Sequence, residues 1–184
     1  MTVQPASNRT EFPFSPDWMS RVVIRQMVAT DLAGLEWDGE YSHFRRVYAD
    51  AYQRSVSGSA VLWVADLPGE GIIGQVFLQL ECDRSELADG RRRAYLYSFR
   101  IRPQFRRAGL GTKIMEMVEE FLRHRGFQSV TLNVAKTNVD AQRLYLRRGY
   151  HIVAHEPGIW SYPDEKGAWH QVEEPAWRME KRLK

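Results

Sequence analysis

The chain predicts an α/β (α+β) domain, a mixed central sheet of six to seven strands flanked by about four helices. Three observations predict it. Short runs rich in β-branched and aromatic residues are interspersed with stretches of helical apolar period. Between Gly109 and Arg125, Leu110, Ile114, Met117, Val118, Phe121 and Leu122 fall on one side of a helix. A length of 184 residues, with 43% hydrophobic and 27% charged side chains, suits one buried core rather than a disordered chain or a fibrous repeat. Residues 1–20 read as an N-terminal arm and residues 21–184 as a single domain.

The elements follow in order. The opening stretch has no apolar run after a basic start, so it is not expected to be a secretory signal; Phe12, Phe14 and Trp18 are expected to dock this arm on the domain. Arg21 to Met27 predicts the first strand. Thr30 or Asp31 then caps a helix over "LAGLEWD", and a second helix covers "HFRRVYADAYQRSV" before Ser57-Gly58. Ala60 to Asp66 is a strand, Pro68-Gly69 a turn, and "GIIGQVFLQLE" a third strand ending near Glu81. After a polar connection with its turn at Asp89-Gly90, Ala94 to Arg102 forms the fourth strand, closed by Pro103. The helix from about Gly109 to Arg125 has Arg123, His124 and Arg125 in its last turn, favourable for the helix dipole, and Gly126 as its stop. "SVTLNVA" is a fifth strand, "VDAQRLYLRR" a helix, "YHIVAHE" a sixth strand with His151 and His155 alternating on one side, and "AWRMEKRL" a final strand.

Composition narrows the function. A net charge of +3 is too weak a field to argue for nucleic acid, and no stretch has the apolar length of a membrane helix. The single cysteine, Cys82, excludes an internal disulfide and fits a reducing, cytoplasmic setting. His43, His124, His151, His155 and His170 are scattered without the spacing of a metal site, so no metal is expected.

The chemistry begins at "RRAGLGTK", Arg106 to Lys113. Two glycines and two arginines before a helix start point to an anion on backbone amides, where unpaired N–H groups and the helix dipole coincide. A Walker loop fails because Thr112-Lys113 follows Gly111 in the wrong order, and a dinucleotide fingerprint fails because Ile114 stands where its third glycine belongs. Arg106-Arg107-Ala108-Gly109-Leu110-Gly111 instead resembles the Arg/Gln-x-x-Gly-x-Gly/Ala pattern of the GNAT superfamily of N-acetyltransferases. A second block strengthens the likeness: Asn138, Ala141, Leu144, Tyr145, Gly149 and Tyr150 match the family's Asn-x-x-Ala-x-x-Leu-Tyr-x-x-x-Gly-Phe spacing. The order of elements resembles the family from Val22 to Leu183.

The resemblance implies a mostly antiparallel sheet splayed between its fourth and fifth strands, with acetyl-CoA as co-substrate. Its pyrophosphate would lie on Arg106, Arg107, Ala108, Gly109, Leu110, Gly111 and Thr112, and its pantetheine arm along the main chain of Phe99, Arg100 and Ile101. A main-chain N–H of the fourth strand would face the thioester oxygen. Tyr145 would protonate the departing thiolate, the alternative being an aromatic core residue. Asn138 would touch the pantetheine arm or cap its helix, and both roles are compatible.

Relatives often carry a Glu or His base at alternating positions of the fourth strand, where this chain has Tyr95, Tyr97 and Phe99; Asn133 stands where many have an acid. Glu81 is the nearest carboxylate, as base or as a solvated strand-end charge, and a water-borne proton is the other route. The amine acceptor, a small molecule or a protein amine, is expected among Tyr41, His43, Tyr97, Asn133 and Trp160. The Glu156–Glu174 connection, with Trp160, Tyr162 and Trp169, reads as a lid, or as a loop packed on its own aromatics or on a second subunit, which would make a homodimer. A CoA-binding sensor without turnover, or an acyltransferase with another acyl donor or a hydroxyl acceptor, are the other readings.

Overall fold

The structure, a computed structural model, describes residues 17–184. Phe12 and Phe14 lie outside these residues. Trp18 sits in a short helix, α1 (Trp18–Arg21), and its ring meets Phe105 edge-on at 5.0 Å. It docks in the core, as expected of it.

Nine strands follow: β1 (Val23–Gln26), β2 (Ala60–Leu67), β3 (Gly71–Gln79), β4 (Arg93–Ile101), β5 (Ser129–Ala135), β6 (His151–Glu156), β7 (Ile159–Pro163), β8 (Trp169–Glu173) and β9 (Ala176–Arg182). Seven of them form one sheet in the order β1-β2-β3-β4-β5-β9-β6. Its pairs are antiparallel except β4 with β5. Three longer helices complete the domain: α2 (Arg45–Val56), α3 (Leu110–His124) and α4 (Val139–Arg147). The helix expected over "LAGLEWD" is instead a 3-10 helix, Ala29–Glu36, and a second 3-10 turn, Ser42–Phe44, precedes α2. The Glu156–Glu174 connection is not irregular: β7 and β8 pair as a separate hairpin. Gly158 makes its base, with φ +68° and the carbonyl of Glu174 only 1.8 Å from where a Cβ would stand.

Each sheet face buries its own cluster. On one face Val76, Leu78, Leu96 and Leu132 pack against Leu110, Ile114, Val118 and Leu122 of α3. Each such side chain contributes about 1.5–3 kcal/mol by leaving water. The sequence placed Met117 and Phe121 beside them, yet these are only partly buried, while Met115 and the carboxylate of Glu119 are buried. Glu119 tolerates this because Lys181 at 2.6 Å and Arg148 at 3.0 Å neutralise it. The other face packs Leu62, Val64 and Phe77 against Tyr48, Ala51 and Leu35.

Three register shifts interrupt the sheet, at Ala65/Asp66, Gln75/Phe77 and Ile152/Ala154, and the last two bear on residues singled out in the sequence. In β4, Gln75 faces Arg100 and Phe77 faces Tyr97, so Ser98 and Phe99 together oppose the single residue Val76. In β6, Ile152 pairs with Met179 and Ala154 with Arg178. That irregularity turns His151 and His155, expected on one side, to opposite faces: His151 pairs with Glu180, whereas His155 pairs with Trp177 and meets its ring at 6.2 Å.

Candidate active site

The parallel pairing of β4 with β5 runs from Arg93 opposite Ser129 to Leu96 opposite Leu132 and stops there. Both strands continue, β4 bonded to β3 as far as Ile101 and β5 bonded to β9 as far as Ala135. A wedge therefore opens between Tyr97–Ile101 and Asn133–Ala135, leaving main-chain groups of β4 facing it. The β4 bulge sits at the start of the wedge, with Ser98 in the left-handed region at φ +48°. The hydroxyl of Ser98 accepts a hydrogen bond from Gln75 Nε2 at 2.8 Å, an amide otherwise buried within the sheet.

The bulge also corrects the expectation that Tyr95, Tyr97 and Phe99 share a face. Tyr95 and Tyr97 stack at 5.7 Å, and Tyr97 packs with Phe77 over α2, whereas Phe99 joins the cluster beneath α3. Burial raises the phenols of both tyrosines, Tyr95 to about 12, so neither is a base at neutral pH.

At the far end of the wedge, α3 begins without a side-chain cap, on Gly109 at φ +96°. The first-turn amides of Leu110, Gly111 and Thr112 are thus the donors that a helix start leaves unpaired. Arg106 ties the loop to β4 through Nε to the Ile101 carbonyl at 2.7 Å. Arg107, at φ +60°, reaches Asp140 of α4 at 3.0 Å across an exposed surface. Gly111 has ordinary backbone geometry, and a Cβ there would meet only Leu144 and Ile101 at 3.4 and 3.5 Å and Phe99 beyond them.

Asn138 caps α4, its side-chain oxygen accepting from the Ala141 amide at 3.2 Å. Tyr145 is 6% exposed, and its ring packs 5.8 Å from that of Tyr150. Burial, reinforced by the neighbouring Tyr95 phenol, raises its pKa well above the ordinary value. Such a phenol stays protonated at neutral pH.

Of the expected acceptor residues, Tyr41, His43, Tyr97 and Trp160 come together on the α2 face. Ring contacts run without a break from the hairpin to the wedge: Trp160 to Phe44 at 6.0 Å, Phe44 to Tyr48 at 6.1 Å, Tyr48 to Phe77 at 6.0 Å and Phe77 to Tyr97 at 5.6 Å. Tyr41 and His43 join at Phe44, 6.3 and 4.2 Å away. Asn133, on β5, keeps a buried side-chain oxygen without a hydrogen-bond partner, and so does the hydroxyl of Tyr97. Glu81 is not brought to the wedge. It is exposed, bridged to Asp89, and lies beyond Leu78, the partner of Leu96, toward the closed end of the seam. Arg100, expected only through its main chain, sends its side chain into the acceptor face. The signal for it was a charge inside an otherwise aromatic strand. Tyr48, Gln75 and Ser98 also belong to this region, and no motif marks them.

Among the described residues no three His, Cys, Asp or Glu side chains are grouped to hold a metal, and no helix is long and apolar enough to cross a membrane.

Comparison with known proteins agrees with this geometry. Residues 29–150 match the model of the Acetyltransferase (GNAT) family. A probable N-acetyltransferase, camello, from Xenopus tropicalis is 28% identical over 138 residues, 70% of this chain; the chain spans 59% of that relative's length. Among solved structures, Ard1 from Thermoplasma volcanium superposes with a TM-score of 0.67 at 18% identity, covering 89% of this chain and 99% of that one. Arabidopsis thaliana NAA60 in complex with acetyl-CoA gives 0.64 at 19% identity, covering 88% and 98%. The chain is a member of the GNAT family of acetyltransferases.

Proposed function

We propose that the protein transfers an acetyl group from acetyl-CoA to a primary amine by direct attack within a ternary complex. The observation that carries this reading is the wedge between β4 and β5, opening toward an uncapped helix start that carries the family's loop. The residues present fit the co-substrate. Leu110, Gly111 and Thr112 would hold its pyrophosphate through their amides, with Arg106 and Arg107 adding positive charge, and the main chain of Phe99, Arg100 and Ile101 would hold its pantetheine arm. Acetyl-CoA, when bound, supplies an activated acyl carbon and a thiolate leaving group.

In the transfer a nitrogen–carbon bond forms and the carbon–sulfur bond breaks; one proton leaves nitrogen and one reaches sulfur. Tyr145, whose phenol holds its proton at neutral pH, donates it to the sulfur. With Tyr95 and Tyr97 held as neutral phenols, the amine proton passes to water. The buried side-chain oxygen of Asn133, which has no partner, is available to accept a hydrogen bond from the amine. Alignment of the two substrates supplies most of the acceleration.

Two measurements test this. Calorimetry should show heat on adding CoA, and its absence at millimolar CoA removes the proposal. With a panel of amines and thiol release monitored, Tyr145→Phe should lower turnover by about tenfold or more while acetyl-CoA affinity stays unchanged. Unchanged turnover removes the assignment of Tyr145. CoA binding without release across the panel would instead favour a sensor.

A further inference from the structure

Six arginines besides Arg100 are partly buried among the described residues: Arg25, Arg93, Arg102, Arg123, Arg148 and Arg178. Each has a carboxylate no more than 3.7 Å away. That is the expected pattern, because a desolvated guanidinium without an anion is costly. Arg100 breaks it. Its Nη1 donates to the Tyr48 hydroxyl, and its guanidinium carbon lies 4.1 Å from the centre of the Tyr41 ring and 4.9 Å from that of Phe44. No carboxylate among the described residues is within ion-pairing distance of it. The charge is held by one neutral hydroxyl and two ring faces, and most of its five N–H donors are left over.

Its place makes this informative. Arg100 stands in the open half of β4, opposite Gln75, on the face that carries Tyr97 and the aromatic chain. The loop for the pyrophosphate leads into α3 on the other face, with Phe99 and Ile101. Of the other cations, Arg45 and Arg102 are neutralised by Glu36 at 2.6 Å and Asp38 at 3.2 Å. Arg54, which acts on Tyr97, and Arg106, which acts on Tyr41, are exposed to solvent rather than held among the rings. A planar guanidinium fixed by its neighbours matches a carboxylate in two-point fashion.

We infer that Arg100 receives a carboxylate of the acceptor, so that the molecule acetylated is an amine that also carries an acid, an amino acid in the broad sense, rather than a polyamine. This rests on the acetyl-transfer reading above and adds the substrate class. The aromatic chain from Tyr41 to Trp160 then bounds the apolar part of that molecule, and Arg100 sets the distance between its acid and the wedge.

The test compares matched pairs, each an α- or ω-amino acid and its carboxamide, with acetyl-CoA and thiol release monitored. Because the carboxamide's amine is the weaker base, rates are referred to the free-base concentration. The wild-type protein should favour the acid over its amide by at least about tenfold in kcat/KM, the scale on which a site built for a charged partner rejects the analogue lacking it. Arg100→Gln should abolish the preference, mainly through the acceptor's KM, while calorimetric acetyl-CoA affinity stays at the wild-type value. Calorimetry of the N-acetylated acid should show binding to wild type and its loss in the variant. Equal rates for acid and amide in the wild-type protein, or faster acetylation of diamines, overturn the inference and leave acetyl transfer standing, whether or not the variant folds. A fall in acetyl-CoA affinity in Arg100→Gln, with the acid preference kept, would reassign Arg100 to the co-substrate and overturn it too. Absence of thiol release with every amine removes acetyl transfer itself, and this inference with it.

Discussion

The two halves of β4 differ although one strand carries both. From Arg93 to Leu96 the strand is paired with β5, at Tyr95 and Leu96 with β3 as well, and Ala94 and Leu96 are buried beneath α3. From Phe99 to Ile101 it is paired with β3 alone, and its side chains are only partly buried. Ser98 divides them. The extra residue at the bulge increases local twist and bends the strand away from β5, so one half stabilises the sheet and the other leaves its main chain for a ligand. Stability and binding are thus separated by a few residues, and substitutions on either side of Ser98 should separate them experimentally.

The largest effect belongs to the closed half. Leu96→Ala empties a site that is 2% exposed and should cost about 2–5 kcal/mol in urea unfolding, with acetyl-CoA affinity of the folded fraction unchanged. An equal loss of affinity would show that the halves are not separable. Next is the divide itself. Ser98→Val places a β-branched residue at φ +48°, so the bulge is strained by about 1–3 kcal/mol or is lost. Acetyl-CoA affinity, followed by calorimetry, should fall more than stability does, and Ser98→Gly should keep it. If Ser98→Val binds as wild type, the bulge does not hold the wedge open.

Gly109→Ala tests the far end of the wedge. Its left-handed φ of +96° costs an L-residue about 1–2 kcal/mol, seen as weaker CoA binding, whereas Gly111→Ala should change little because its neighbours leave room for a Cβ. The smallest effect is at the entry to the closed half. The Asp89 carboxylate accepts from the amides of Arg91, Arg92 and Arg93 at 3.0, 2.7 and 2.9 Å. Burial opposes its ionisation, but these bonds prevail and lower its pKa to about 2. A carboxylate depressed in the folded state stabilises above the unfolded pKa, and that contribution is lost as pH falls through the folded one. Asp89→Ala should therefore cost about 1 kcal/mol at pH 7 and progressively less from pH 4 toward pH 2, measured by thermal unfolding. A pH-independent cost would mean that the carboxylate charge is not what orders this turn.

How legible these features were depended on how local their cause is. β5 falls on Ser129–Ala135 as the sequence predicts, and α3 begins within one residue of its expected start, because alternation and a helical apolar stripe are written in consecutive residues. The Glu156–Glu174 connection reads in the sequence as a lid or a packed loop, whereas it folds as the β7–β8 hairpin. Its strands are short and largely exposed, so they lack the buried alternation that marks a strand; Trp160 and Tyr162 lean on Phe44 rather than on the sheet, and Trp169 is exposed. The shared face assigned to Tyr95, Tyr97 and Phe99, and that assigned to His151 and His155, failed for one reason: a bulge resets the period of two, and Ser98 and Val153 look ordinary in the sequence.

By itself the sequence determined the family loop, the position of Tyr145 in its block and the order of the seven sheet strands with α2, α3 and α4 among them, since alternation, helical stripes and glycines at fixed spacing are local. Only the tertiary structure decided where β4 parts from β5, that Glu81 lies toward the closed end of that seam, and that Arg100 stands among Tyr41, Phe44 and Tyr48 without an anion. These depend on register and on which distant segments meet across a sheet, and no run of neighbouring residues encodes that meeting.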